Sequence, residues 1–196
     1  MHAMQTEILK RLGSLPKREA SFVEPMECLS VSKLPEDSQW LWEIKLDGYR
    51  AIAVKSASDV KLFSRKKKSL NTQFPLIVKA LSALPAETVV DGELVAIDES
   101  GRPNFNLLQN FRSEESRIHY YVFDLLCSKG RDLTRLPLIE RRALLKSFVA
   151  IHDKRIRISD YVEAAPNDLA GCGKIVLSQQ FLGWFESFGS FGASEA

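Results

Sequence analysis

Glu43-Ile44-Lys45-Leu46-Asp47-Gly48-Tyr49-Arg50 is the stretch on which the reading of this chain turns. It sets a lysine, an acid-glycine pair and an arginine at fixed offsets. A lysine amine is a nucleophile only when deprotonated, and nearby positive charge or desolvation favours that state. Arg50 supplies such a charge, and Asp47-Gly48 between two apolar runs is a tight-turn signal. The spacing therefore predicts a hairpin that folds Arg50 back toward Lys45, with both facing one phosphate. Lys-x-Asp-Gly-x-Arg arises by chance in roughly one chain in several hundred of this length. An ordinary surface hairpin is the weaker alternative.

Outward from this stretch, strands are expected over 41–46, 49–54 and 60–63. Phe74, Ile77, Val78 and Leu81 follow helical spacing, so a helix covers about 72–83 and stops before Pro85. Residues 88–97 and 118–126 are β-branched and aromatic, as strands are. Phe105, Leu108 and Phe111 suggest a short helix between them. Pro137 can open another, with Leu144, Leu145, Phe148 and Val149 on one side. Met4, Ile8 and Leu12 mark a short helical extension over residues 1–20. The fold class is α+β, an antiparallel sheet with helices packed outside.

The composition is compatible with this and narrows the setting. With 196 residues and 45% apolar content the chain can bury a real core, and its net charge of +2 does not by itself announce a nucleic-acid binder. Cys28, Cys127 and Cys172 are odd in number and widely spaced, which argues against a disulfide framework. His2, His119 and His152 stand alone, without paired metal ligands. No apolar run is long enough to span a bilayer, so a cytoplasmic protein with no membrane partner is expected.

Lys45-x-Asp47-Gly48-x-Arg50 resembles motif I of the covalent nucleotidyltransferases, the polynucleotide ligases and messenger-RNA capping enzymes. Arg65, in Leu62-Phe63-Ser64-Arg65-Lys66-Lys67-Lys68, resembles that family's next arginine motif. Val89-Val90-Asp91-Gly92-Glu93-Leu94-Val95-Ala96 is similar to motif III. Tyr120-Tyr121-Val122-Phe123-Asp124-Leu125-Leu126 is similar to motif IIIa, and Arg131-Asp132-Leu133 through Arg141 continues it. Phe22-Val23-Glu24-Pro25-Met26 resembles the entry to the ligase domain of bacterial ATP-dependent DNA ligases of the ligase D type. Taken in order, these segments identify residues 21–170 as a partial ligase adenylation domain of the nucleotidyltransferase, ATP-grasp-like DNA ligase fold. A capping-type guanylyltransferase is the neighbouring reading within the same chemistry.

The resemblance implies roles residue by residue. Lys45 would attack the α-phosphate of ATP and become adenylylated, with Asp47 and Gly48 supporting its loop. Glu43, Arg50, Glu93 and Phe123 would bind the nucleotide: Glu43 at the adenine edge, Glu93 at the ribose hydroxyls, Phe123 by stacking. As residues, Glu93 and Phe123 also read as an exposed strand position and a core aromatic. Arg65 would take the 5′-phosphate of a nick, with Lys66, Lys67 and Lys68 as non-specific phosphate contacts. The implied cofactors are ATP and Mg²⁺ (or Mn²⁺). The implied partner is nicked or broken double-stranded DNA in repair and recombination, on a bacterial nucleoid.

The family pattern stops near residue 160. Its motif IV, a Glu-Gly followed by apolar residues and a lysine, has no counterpart beyond the run Gly173-Lys174-Ile175-Val176, so the metal ligand is unknown. Motif V and an OB-fold domain are also missing. Residues 171–196 read as a divergent Gly/Ser/aromatic tail, best taken as a truncated or out-of-frame end. A small helix over Phe181, Trp184, Phe185 and Phe188 is the alternative. Impaired chemistry is expected. The competing readings are a non-catalytic nucleotide- or DNA-binding remnant, or one subunit of a split ligase whose motifs IV–VI sit on a separate chain.

Overall fold

The structure, a computed structural model, describes residues 2–26, 29–30, 40–111, 117–148, 153–162, 175–179 and 189–191. Within them the chain runs α1 (His2–Arg11), β1 (Leu29–Ser30), β2 (Trp40–Ile44), β3 (Tyr49–Lys55), β4 (Val60–Ser64) and α2 (Pro75–Leu81). It continues β5 (Thr88–Ala96), α3 (Phe105–Gln109), β6 (Ile118–Ser128), β7 (Arg131–Asp132), α4 (Leu138–Phe148), β8 (Ile156–Ile158), β9 (Tyr161–Val162), β10 (Ile175–Gln179) and β11 (Gly189–Phe191). The expected strands and helices around motifs I to IIIa are all present. The expected 181–188 helix, Gly173 and Lys174 lie outside the described residues.

Among the described residues the strands form two sheets. One has six strands in the order β4-β3-β5-β6-β7, with β8 added parallel to β6. The other has five, in the order β1-β11-β10-β2-β9. Ile175–Gln179 and Gly189–Phe191, in the stretch expected to be a divergent tail, thus pair into the sheet that carries β2.

The hairpin expected at Asp47-Gly48 does not form. β2 and β3 belong to different sheets, so residues 45–48 are a crossing between them. β2 ends at Ile44, leaving Lys45 outside the strand. Gly48 is glycine for space: a Cβ there would lie 2.1 Å from the Leu94 carbonyl oxygen of β5. An acid-glycine pair marks both a turn and a close approach, and local sequence does not separate the two.

Strand alternation sends Ala51, Ala53, Leu62, Val90, Leu94, Tyr120 and Val122 to one face of the six-stranded sheet, where the helices complete the main core. Ile8 of α1 is only 2% exposed and belongs to this core, so the N-terminal helix docks on the domain. Pro75 opens α2, and Asn104 caps α3 by accepting a hydrogen bond from Leu107 N–H at 2.9 Å. Cys127 is a free, buried thiol pushed up to about 11 by burial. Cys28 and Cys172 lie outside the described residues.

Candidate functional site

Among the described residues, the opposite face of the six-stranded sheet carries a small apolar cluster at one end. Val23 packs there with Ile52, Val54, Val89, Leu126 and Cys127, and Ala20, Phe22 and Met26 border them. Beyond that cluster the face opens. Glu93 is the one residue of β5 that is not buried. In β6 the burial alternates at first, leaving His119, Tyr121 and Phe123 half-exposed. In β3 it is Arg50 that remains accessible on this face, while Tyr49 before it packs against the main core. Cross-strand register aligns Arg50, Glu93, Tyr121 and Arg157 in one row across β3, β5, β6 and β8.

Two irregularities shape this window. β6 slips register against β5 between Asp91 and Gly92, so that Phe123 is the extra residue of a bulge. Bulges re-aim a side chain, and here one carries the aromatic assigned to base stacking. Gly92 admits no side chain, since a Cβ would lie 2.4 Å from the Tyr121 carbonyl oxygen and 2.7 Å from the Tyr120 ring. The strand expected over 88–97 runs through this glycine.

Arg50 is held in place by Asp91. Its Nε and Nη2 each donate to one Asp91 carboxylate oxygen at 2.7 Å, a bidentate pair with the acid fully buried. The same guanidinium lies 4.6 Å from the Phe123 ring centroid. Burial raises the Asp91 carboxyl, and Arg50 opposes that rise. Glu93 is pushed up to about 8, first by burial and further by Asp91 and Asp47, while Arg50 and Lys45 act in the other direction. The Lys45 charge is therefore felt at Glu93.

Lys45 itself is exposed, as is Arg65 in the basic loop after β4. That loop turns through Lys67 in the left-handed region at φ 59°, and Lys67 Nζ lies 5.6 Å from the Phe22 ring centroid. The structure thus gathers Arg50, Glu93 and Phe123 on one face and places Lys45 beside it. Arg65 stands on the neighbouring loop. Glu43 is half-buried and forms an ion pair with Arg142 of α4, so its carboxylate already has a partner.

Several site-lining residues were not singled out from sequence. Asp91 could have been found, because it lies two positions before Glu93 and so on the same strand face. Tyr121, His119 and Arg157 form a second group. Arg157 Nη1 donates to the Tyr121 hydroxyl at 2.9 Å, and its Nη2 lies 3.0 Å from His119 Nε2. Burial, and then the Arg157 charge, hold His119 below its usual value. Nothing local in the sequence pairs β8 with β6. Among the described residues no cluster of three or more His, Cys, Asp or Glu is placed to hold a metal ion.

Comparisons with known proteins bear on the family and the fold. The family described as ATP dependent DNA ligase domain matches residues 22–170. The chain is 38% identical over 148 residues to the multifunctional non-homologous end joining protein LigD of Pseudomonas aeruginosa, covering 73% of this chain and 18% of that protein. It is 31% identical over 176 residues to DNA ligase C of Mycobacterium tuberculosis, covering 85% of this chain and 46% of that protein. The chain thus spans less than half the length of these relatives. A structure of mycobacterial DNA ligase D complexed with ATP and MES superposes with a TM-score of 0.71 at 23% identity, over 93% of this chain and 61% of that one. At that identity the likeness speaks for the fold alone.

Proposed function

The chain belongs to the ATP-dependent DNA ligase domain family, and from that premise we propose that it carries out the first step of ligation, the transfer of AMP from ATP to Lys45. The Lys45 Nζ attacks the α-phosphorus, a P–N bond forms, the bond to pyrophosphate breaks, and the amine loses its proton. The observation that carries this reading is the open window of Arg50, Glu93 and Phe123 on one sheet face, with Lys45 delivered beside it from another sheet. Positioning and charge neutralisation supply most of the rate in such transfers.

In this reading adenine stacks on Phe123, on the side away from Arg50. Glu93 accepts from the ribose hydroxyls, and Glu43 orients the strand end near the adenine edge. The Asp91 clamp keeps the Arg50 fork pointed at the nucleotide. Arg65, with the lysines after it, takes the 5′-phosphate of nicked or broken duplex DNA in the bacterial cytoplasm. The domain proper begins near residue 21, with 1–20 as its docked helical extension, and takes in the strands at Ile175–Gln179 and Gly189–Phe191. The divalent cation, Mg²⁺ or Mn²⁺, has no assigned ligand among the described residues, and no step is routed through it. A module bringing the groups of motifs IV to VI, on this or another chain, completes sealing.

Incubation with α-labelled ATP and Mg²⁺, followed by a denaturing gel, tests the proposal. The expected result is a labelled band that competes with ATP but not GTP and vanishes in Lys45→Ala. A folded protein that takes no label, alone or with a motif IV–VI module added, would overturn it.

A further inference from the structure

We propose that Arg142 is a positioning residue for Lys45: buried on α4, it fixes the end of β2 that delivers the lysine to the nucleotide face. The inference rests on the adenylation reading above. Lys45 follows the last residue of β2 in the five-stranded sheet, whereas Arg50, Glu93 and Phe123 stand on the six-stranded sheet. β2 and β3 share no ladder, so the reach of Lys45 to a phosphate depends on what ties the two sheets together.

Arg142 is placed to be that tie. Its Nη1 donates to Glu43 Oε1, two residues before Lys45, and its Nη2 donates to the Ser159 carbonyl at 2.5 Å. Its guanidinium carbon lies 5.0 Å from the Tyr161 ring centroid, and Tyr161 is the cross-strand partner of Glu43 in β9. Lys146, one helical turn on, lies 5.5 Å from the same ring and 3.6 Å from Asp160. α4 is anchored in turn to the six-stranded sheet. Arg141 makes a bidentate pair with Asp124 of β6 at 2.9 and 2.7 Å, and Leu144 and Leu145 are fully buried in the main core.

The energetics favour a geometric role. The Arg142 side chain is 2% exposed and that of Glu43 11%, so the pair is desolvated and adds little net stability over an apolar pair of the same shape. Arg142 Nε is buried with no hydrogen-bond partner, a further cost. What a planar fork gives is a fixed angle between two acceptors, which a lysine cannot reproduce. A displacement of about 1 Å at the reacting atom can lower a rate on the order of a hundred-fold.

The test is the rate of Lys45–AMP formation against ATP concentration, in wild type, Arg142→Lys, Arg142→Met and Glu43→Gln, with thermal unfolding of each. The expected result is a maximal labelling rate at least tenfold lower in each folded variant, with KM for ATP within about twofold. Combining Arg142→Lys with Glu43→Gln should slow labelling no further than either change alone, because both act through one contact. Wild-type labelling per folded molecule, with only a lowered unfolding midpoint, would make the pair structural and overturn the proposal. A raised KM at unchanged maximal rate would also overturn it, by assigning Arg142 to nucleotide binding. If wild type itself takes no label, the adenylation reading falls and this inference with it. A labelling wild type beside an equally fast Arg142→Lys removes this inference alone.

Discussion

On one face of the six-stranded sheet Ala51, Ala53, Val90, Leu94, Tyr120 and Val122 join the helices in a continuous apolar core. On the other, a small cluster at one end gives way to Arg50, Asp91, Glu93, Tyr121 and Phe123. Both faces are written by the same strands, one residue out of phase. The difference shows how a stable scaffold can present charges that would be costly inside it. Two of these groups are fixed across neighbouring strands, Arg50 by the buried Asp91 and Tyr121 by Arg157.

Removing a partner is the sharpest way to break that arrangement. Asp91→Ala leaves the partly solvated Arg50 guanidinium without its buried acid, and a loss of about 1.5–3 kcal/mol is expected in denaturant titration. Lys45 labelling should fall with it, because Arg50 is no longer aimed. Gly92→Ala attacks the boundary between the faces. Its methyl meets the Tyr121 carbonyl at 2.4 Å and the Tyr120 ring at 2.7 Å, and the loss should lie at the upper end of about 1–3 kcal/mol. A neutral result would show that the β5–β6 bulge relaxes freely.

Glu93→Gln separates stability from function. The folded carboxyl titrates at about 8 against 4.5 for its ordinary value, so the folded state holds the proton more tightly. The stability this provides is complete below 4.5 and is lost as pH rises through 8. The glutamine variant never ionises, so it should equal wild type at pH 4 and be the more stable of the two at pH 8.5. Nucleotide labelling should nevertheless drop, because the amide keeps one acceptor oxygen where the carboxylate offers two to the ribose hydroxyls. Unfolding curves at the two pH values decide the first point. The smallest effect belongs to the outer surface: Leu9→Ala, at a position 43% exposed, should change stability by less than about 0.5 kcal/mol. A larger loss would mean that α1 is gripped by more than Ile8.

Much of this was legible in the chain. β-branched runs gave the strands, helical spacing gave α2 and α4, and the ordered motifs led to Lys45, Arg50, Glu93 and Phe123. The reading failed where two physical causes share one local signature. Asp47-Gly48 reads as a hairpin turn, yet Gly48 is small because the Leu94 carbonyl passes 2.1 Å from where its Cβ would be. Asp91 is not singled out by the motif reading, although its spacing from Glu93 already places both on one face.

The sequence by itself determined strands β2 to β6 and which of their faces is apolar, because periodicity and residue type are local properties; β1 and β7 to β11 it did not announce. Only the tertiary structure decided that β2 and β3 part company. It alone brought Arg142 to Glu43 across 99 residues, and Arg157 to Tyr121 across 36. Those pairings depend on how two sheets and a helix settle against one another, and a buried charge chooses its partner only after the packing has set which partner is within reach.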